Sequence, residues 1–201
     1  WAGDPTRVEG VLGNAMEFDN DDALYTPDWW GIGGSTPRTV SFWLKSTDLD
    51  AESHGIVGWG LSSSNGTKYH VRINNSEANG TLGAIRTEIQ GTFNIGTTFV
   101  ADDEWHFVTS VFPEEGQFMV DVVHYVNGLE EVRSGTNDNG TSILLDTTAS
   151  PEESDQEFRI GMRMQGGSEH YYTGLVDEVR VYERGLSPLE VQALFMASGG
   201  P

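Results

Sequence analysis

The 201-residue chain has no cysteine, which removes disulfide stapling, thiolate nucleophiles and cysteine metal sites from consideration. No apolar run approaches the roughly 18 to 20 residues that cross a bilayer as a helix, so membrane insertion is not expected. Positive charge is scarce too: 11 Lys plus Arg face 31 Asp plus Glu, a formal net charge of −20, and Lys45 and Lys68 are the only lysines. A field of that sign repels phosphate backbones and argues against nucleic acid as a partner. It suits either plain solubility or a salty medium, where charges are screened over about 10 Å at 0.1 M salt. It also supplies many oxygen ligands for calcium. The sequence opens at Trp1 without Met or a charged leader and ends in the linker-like Ala197-Ser198-Gly199-Gly200-Pro201. It therefore reads as a segment of a larger protein. Without an internal repeat or linker, residues 1–201 are expected to form a single domain, long enough to bury a core unaided.

What is present is a series of short segments rich in Val, Ile, Thr, Phe, Tyr and Trp, separated by Gly, Asn, Asp and Ser. That pattern predicts an all-β sandwich of antiparallel strands. Strands are expected near Ala15–Phe18, Thr39–Lys45, Gly55–Trp59, Lys68–Ile73, Leu82–Gln90, Trp105–Phe112, Val120–Val126, Glu157–Met162 and Gly174–Tyr182. Asn79-Gly80, Asn127-Gly128 and Asn139-Gly140 are turn signals, because these residues tolerate positive φ. Residues 134–156 read as a long excursion in which Ile143-Leu144-Leu145 forms at most one short edge strand. One short C-terminal helix, Ser187–Ala197, is predicted: Ser187 caps it, Pro188 suits its first turn and Glu190 completes a capping box. Leu189, Val191, Leu194 and Phe195 form its expected packing face.

Strict alternation along Gly174–Tyr182 places Asp177 on the side of Leu175, Val179 and Val181. A carboxylate among apolar side chains requires a cation or several hydrogen-bond donors. Alternation also predicts that Val71, Ile73, Ile85 and Ile89 face the core, leaving His70, Arg72 and Asn74 on one strand, and Arg86, Glu88 and Gln90 on another, facing away. If these strands are neighbours, their polar rows converge, with Trp59 as an aromatic wall. Trp59, His70, Arg72, Arg86 and Glu88 are thus the candidate carbohydrate-binding residues, since polar groups bond hydroxyls directionally and an aromatic face packs on a sugar ring. Cross-strand charge pairing on a solvated sheet is the plainer alternative. Trp29 and Trp30, or His170-Tyr171-Tyr172, offer other aromatic rims, whereas Trp43 and Trp105 read as core.

Five motifs occur in a telling order: Gly13-Asn14-Ala15-Met16-Glu17-Phe18-Asp19, Val40-Ser41-Phe42-Trp43-Leu44-Lys45, Glu104-Trp105-His106-Phe107-Val108, Tyr125-Val126-Asn127-Gly128 and Gly174–Leu194. In this the chain resembles laminin-G-like domains of the concanavalin A-like lectin/glucanase superfamily, of the type found in secreted bacterial carbohydrate-active and adhesive proteins. The resemblance implies a jelly-roll sandwich of two antiparallel sheets, one concave, an extracellular location and a structural calcium. It also implies that the N-terminal turn lies near the C-terminal strand, so Asp19 and Asp22 would share the metal with Asp177, as a staple between chain ends. The family's Phe-Asp-Gly followed by Asp departs here, with Asn20 before Asp21 and Asp22. The alternative is a solvated turn, with Asp177 accepting backbone hydrogen bonds.

Catalysis finds little support in the residues. The Glu-x-Asp-x-x-Glu strand of retaining glycosidases is missing. Arg86-Thr87-Glu88-Ile89 resembles one strand motif of jelly-roll alginate lyases, but the accompanying Gln-Ile-His and Tyr-Lys-Ala-Gly segments are absent, and with them the His and Tyr that would move protons. No nucleophile elbow, phosphate loop or His-Glu-x-x-His occurs. The expected function is a non-catalytic module that binds polysaccharide beside other domains of its parent protein. The second reading is an adhesion or spacer module of a large extracellular protein.

Overall fold

The computed structural model describes residues 1–19, 21–50, 55–61, 63–137, 141, 143–151, 157–163 and 170–201. The Asn139-Gly140 turn lies outside them. In chain order the strands are β1 (Thr6–Glu9), β2 (Asn14–Phe18), β3 (Leu24–Tyr25), β4 (Arg38–Lys45), β5 (Val57–Gly60), β6 (Lys68–Ile73), β7 (Ile85–Glu88), β8 (Phe93–Ile95), β9 (His106–Phe112), β10 (Val123–Val126), β11 (Leu129–Glu130), β12 (Gly135–Thr136), β13 (Arg159–Ile160), β14 (Met162–Arg163), β15 (His170–Tyr171) and β16 (Gly174–Tyr182). One helix, α1 (Pro188–Ala197), follows. Two antiparallel sheets result, ordered β1-β2-β16-β4-β9-β10-β11 and β12-β8-β7-β6-β5-β13-β3, with β14 and β15 as a separate ribbon. This is the expected all-β sandwich with its short C-terminal helix.

Alternation explains how both faces of each sheet are used. On β4, Val40, Phe42 and Leu44 enter the core between the sheets, where Trp59, Tyr69, Val71 and Ile85 meet them. Trp43 points the other way, onto Phe107 and Phe195. Beside it, Val111, Tyr125, Leu186 and Val191 form a second outer cluster, so α1 seals the outer face of the first sheet. The predicted cap holds: the Ser187 hydroxyl accepts from the Glu190 N–H, and the Glu190 carboxylate accepts from the Ser187 N–H at 2.9 Å. Leu189 was expected in the packing face but is 77% exposed; at the first turn it projects beyond the sheet that Val191 and Phe195 contact.

Other departures are local. The expected strand over 82–90 shortens to β7, because Gln90 and Gly91 both take positive φ and turn the chain. The expected strand over 120–126 begins with a 3-10 turn, Met119–Asp121, whose Asp121 carboxylate accepts from the Gln117 and Phe118 N–H groups. Asn127-Gly128 makes the predicted tight turn between β10 and β11. Asn79-Gly80 lies inside the longer β6–β7 connection. In the 134–156 excursion, Leu144 forms an isolated bridge to Phe118 and Leu145 is fully buried.

The largest correction concerns Asp177. Pairing of β16 with β4 shifts between Asp177, opposite Trp43, and Arg180, opposite Ser41, around Glu178 at φ 51°. This bulge inserts one residue and reverses the alternation. Val176 packs in the core before it, and Val179 and Val181 pack against the core after it. Asp177 therefore faces away from Val179 and Val181.

Candidate functional site

Strands β5 to β8 and β13 are held side by side by registers that set one polar row across the second sheet. Tyr25, Arg159, Gly58, His70, Glu88 and Phe93 are successive cross-strand partners on β3, β13, β5, β6, β7 and β8. Arg72 pairs with Arg86 in a flanking row. Tyr69, Val71 and Ile73 turn inward, so Lys68, His70 and Arg72 face out, as alternation predicts. The structure thus brings together four of the five residues expected at a carbohydrate site.

Glu88 is the hub. Its carboxylate lies 2.8 Å from Lys68 Nζ, 3.2 Å from Arg72 Nε and 2.9 Å from an Arg86 Nη. Burial alone would raise its pKa, but Lys68, the neighbouring His70 ring and Arg72 hold it well below the ordinary carboxylate range. His70 Nδ1 is 3.5 Å from Glu88, too far for a good hydrogen bond. Neither ring nitrogen of His70 has a hydrogen-bond partner, and burial pushes its pKa down to about 3, so the ring is neutral at pH 7.

The sequence suggested an open bed, and the structure differs. Lys68, His70, Arg72, Arg86 and Glu88 are all less than a tenth exposed. The chain passes close over them: a Cβ at Gly55 would sit 2.5 Å from His70 Nε2 and 2.4 Å from the Met162 carbonyl oxygen. Half-buried groups border the cluster, among them Tyr25, Arg159, Arg163, Gln90 and Phe93. Arginine–aromatic contacts lie along this border, Arg86 over Phe93 at 3.9 Å and Arg159 over Tyr25 at 4.8 Å. Tyr25 and Phe93 were not foreseen, because strands of two and three residues leave little periodic signal.

Trp59 does not belong to this face. It is fully buried between the sheets, donates from Nε1 to the Ile32 carbonyl at 2.9 Å and packs on Tyr69 and Phe158. Its strand alternates like any other, and position 59 falls on the inward phase. Tyr172 of the alternative rim is likewise core. Trp43 is core as expected, while Trp105 packs half-buried at its edge.

The candidate metal residues separate. Asp177 Oδ2 accepts from the Val11 and Leu12 N–H groups at 2.9 and 3.1 Å, and Oδ1 from the Glu178 N–H at 2.8 Å. It closes the β1–β2 hairpin turn, tightly enough that a Cβ at Gly10 would lie 2.5 Å from Oδ2. Phe18 pairs with Gly174 and Met16 with Val176, so Asp19 and Asp177 stand about four strand residues apart, roughly 13 Å. That exceeds the span of one ion's ligands. The carboxylates that do converge are Asp19, Asp21 and Asp22, with oxygens within 4.8 Å of one another. Asp22 is buried and accepts from the Asp4 and Asp19 N–H groups at 2.8 and 3.0 Å. Asp21 is pushed above the usual carboxylate value, first by its hydrogen bond with Asp19 and then by the charges of Asp19, Asp22 and Asp4. Beside this turn runs a cleft of about 540 Å³ lined by Asp4, Glu17, Asp19, Asp22, Asp103 and Lys45, among others.

Two stacked antiparallel sheets closed by one C-terminal helix define a lectin-like fold. Residues 18–192 match the laminin-G-like family model of the concanavalin A-like lectin/glucanases superfamily, and the chain belongs to that family. No curated protein matches it in sequence. Among solved structures it is similar to domain 4 of AbnA, an extracellular arabinanase from Geobacillus stearothermophilus in complex with arabinotriose (TM-score 0.65, 19% identity, 96% of this chain and 81% of that one). It is also similar to the CBM40 domain of the Ruminococcus gnavus IT-sialidase bound to α2,3-sialyllactose (0.58, 18%, 92% and 98%). A third is the binding domain of Paraclostridial Mosquitocidal Protein 1 (0.63, 12%, 96% and 45%). At these identities the likeness is one of fold. Among the described residues, no helix is long and apolar enough to cross a membrane.

Proposed function

We propose that this domain is a non-catalytic carbohydrate-binding module of a secreted or cell-surface protein, and that it engages a polysaccharide through the outer face of its second sheet. The observation that carries this reading is the convergence of Lys68, His70, Arg72, Arg86 and Glu88 in adjacent registers, bordered by Tyr25 and Phe93. Directional donors beside aromatic faces suit sugar hydroxyls and ring C–H surfaces. The structures of the extracellular arabinanase domain and the sialidase module, which share the fold, are complexes with arabinotriose and α2,3-sialyllactose, and this lends support. Glu88 favours binding over catalysis: Lys68, the His70 ring and Arg72 outweigh its burial and hold it well below the ordinary carboxylate range, so it is a poor general acid.

The test is a glycan array and titration with the folded protein. Binding that weakens when Arg86 is replaced, in a variant that still folds, supports the module. Silence across acidic and neutral polysaccharides shifts the reading to adhesion or spacing.

A structural calcium belongs to the same proposal, at Asp19, Asp21 and Asp22 rather than with Asp177. Three crowded carboxylates are the hard oxygen donors calcium takes, and a cation there would offset their mutual repulsion. With calcium at about 100 times its dissociation constant, the fold would gain about 2.7 kcal/mol. A melting curve unmoved by exhaustive chelation removes the metal from the proposal and leaves the glycan site intact.

A further inference from the structure

The cations of this acidic chain are unevenly placed. Of its 11 Lys plus Arg, Lys68, Arg72, Arg86 and Arg159 lie on one face of one sheet by strand register, and Arg163 is near enough to act electrostatically on Lys68, Arg72 and Arg86. Among the described residues Glu88 is the one carboxylate paired with Lys68, Arg72 and Arg86. Among the described residues one negative charge is thus shared by three buried cations, an arrangement that favours a further anion nearby.

Hydrogen bonding points the same way. Arg86 is 8% exposed; one Nη contacts Glu88, while Nε and the other Nη have no partner. The buried Nε atoms of Arg159 and Arg163 are also without one. Buried donors are rarely left so, and the open N–H groups of a guanidinium are charge-assisted donors that suit the oxygens of an anionic ligand. Arg72 differs, bonding Glu88, the Ile73 carbonyl and the Asn75 side chain.

We propose that the ligand is an acidic glycan, and that its carboxylate is received by the unpartnered N–H groups of Arg86, with Arg159 and Arg163 beside them. This rests on the reading of the domain as a carbohydrate-binding module and names the class of sugar it takes. The chain's overall negative charge does not oppose it at close range. Exposed charges are screened beyond about 8 Å at physiological salt, whereas the buried cations are screened far less.

The experiment is affinity electrophoresis and calorimetry with a polyuronate, a sulfated galactan and a neutral arabinan, on the wild type and on Arg86→Gln, Arg159→Gln and the distant control Arg7→Gln. Expected is binding to the polyuronate that weakens with salt, falls by at least about tenfold in Arg86→Gln and Arg159→Gln, and is unchanged in Arg7→Gln. Circular dichroism and melting establish that each variant folds, and the wild-type salt dependence needs no variant. Binding of the sulfated polymer without the polyuronate overturns the carboxylate assignment. Arabinan bound as tightly as polyuronate overturns the acidic class while leaving the module reading standing. A folded wild type that binds none of the three overturns both.

Discussion

Two buried arginines make the most instructive comparison in this domain. Arg38, at the start of β4, is fully buried and saturated: Nε donates to the Thr36 carbonyl, one Nη to the Ile32 carbonyl and the Thr147 hydroxyl, the other to the Gly33 and Gly34 carbonyls. It also lies over Trp59 and Tyr69. Arg86 is nearly as buried and stacks on Phe93, yet two of its nitrogens are unpartnered. Burial pushes both guanidinium pKa values down to about 10, so both remain charged at neutral pH. The desolvation cost is similar and its compensation is not. Arg38 is a fastener, and Arg86 retains donor capacity for something outside the chain. Burial alone does not tell these apart; a census of donors does.

Acid should separate the two regions most strongly. The carbonyl cage of Arg38 has nothing to titrate, whereas the Glu88 network contains His70 and Glu88. Folded His70 has a pKa of about 3 and buried His124, bonded to Thr87, about 4, both lowered first by burial. The unfolded chain protonates its histidines near 6.5, so below that pH it binds more protons than the fold, and stability falls as pH falls. At about 1.4 kcal/mol per unit, each histidine removes on the order of 3 kcal/mol by pH 4. Glu88 adds its own loss only below its unfolded value near 4.5, because its folded pKa is depressed. Denaturant unfolding at pH 7, 5.5 and 4 checks this; a flat profile would mean that the network is not sealed from water.

Substitutions sharpen the contrast. Glu88→Gln leaves three buried cations without their counter-charge and should cost about 3 to 5 kcal/mol in urea unfolding. Arg38→Met orphans several carbonyls and should cost about 3 kcal/mol, with glycan affinity unchanged. Arg86→Met should change stability by less than about 1 kcal/mol, because Glu88 keeps Lys68 and Arg72, while abolishing most of the binding. If Arg86→Met proved as destabilising as Arg38→Met, the two arginines would be equivalent fasteners and the comparison would fail.

Much of this architecture was legible in the chain. Alternation in Lys68–Ile73 and Ile85–Glu88 correctly divided core from polar face, and the Ser187–Glu190 box marked the helix start. These signals are local, carried by a period of two or by a cap of four residues. The short strands β3 and β8 gave no comparable signal, and Tyr25 and Phe93 went unnoticed with them; β13 falls within the expected strand Glu157–Met162, but nothing local marked Arg159 as bordering the polar face. Trp59 was misread because an aromatic at a strand end looks the same from either phase until the neighbouring sheet is known. Asp177 was misread because a single bulge at Glu178 inverts every later side chain.

The amino-acid sequence by itself determined the sandwich, its capped helix, its acidity and the family to which it belongs, since each follows from residue order over short spans. Only the tertiary structure decided what the polar residues do. It drew Lys68, Arg72 and Arg86 around one carboxylate, left Arg86 with open donors, and tied Asp177 to a hairpin turn rather than to Asp19. Those outcomes depend on strand register and on which segment covers which face, and both are set by packing between residues far apart in the chain.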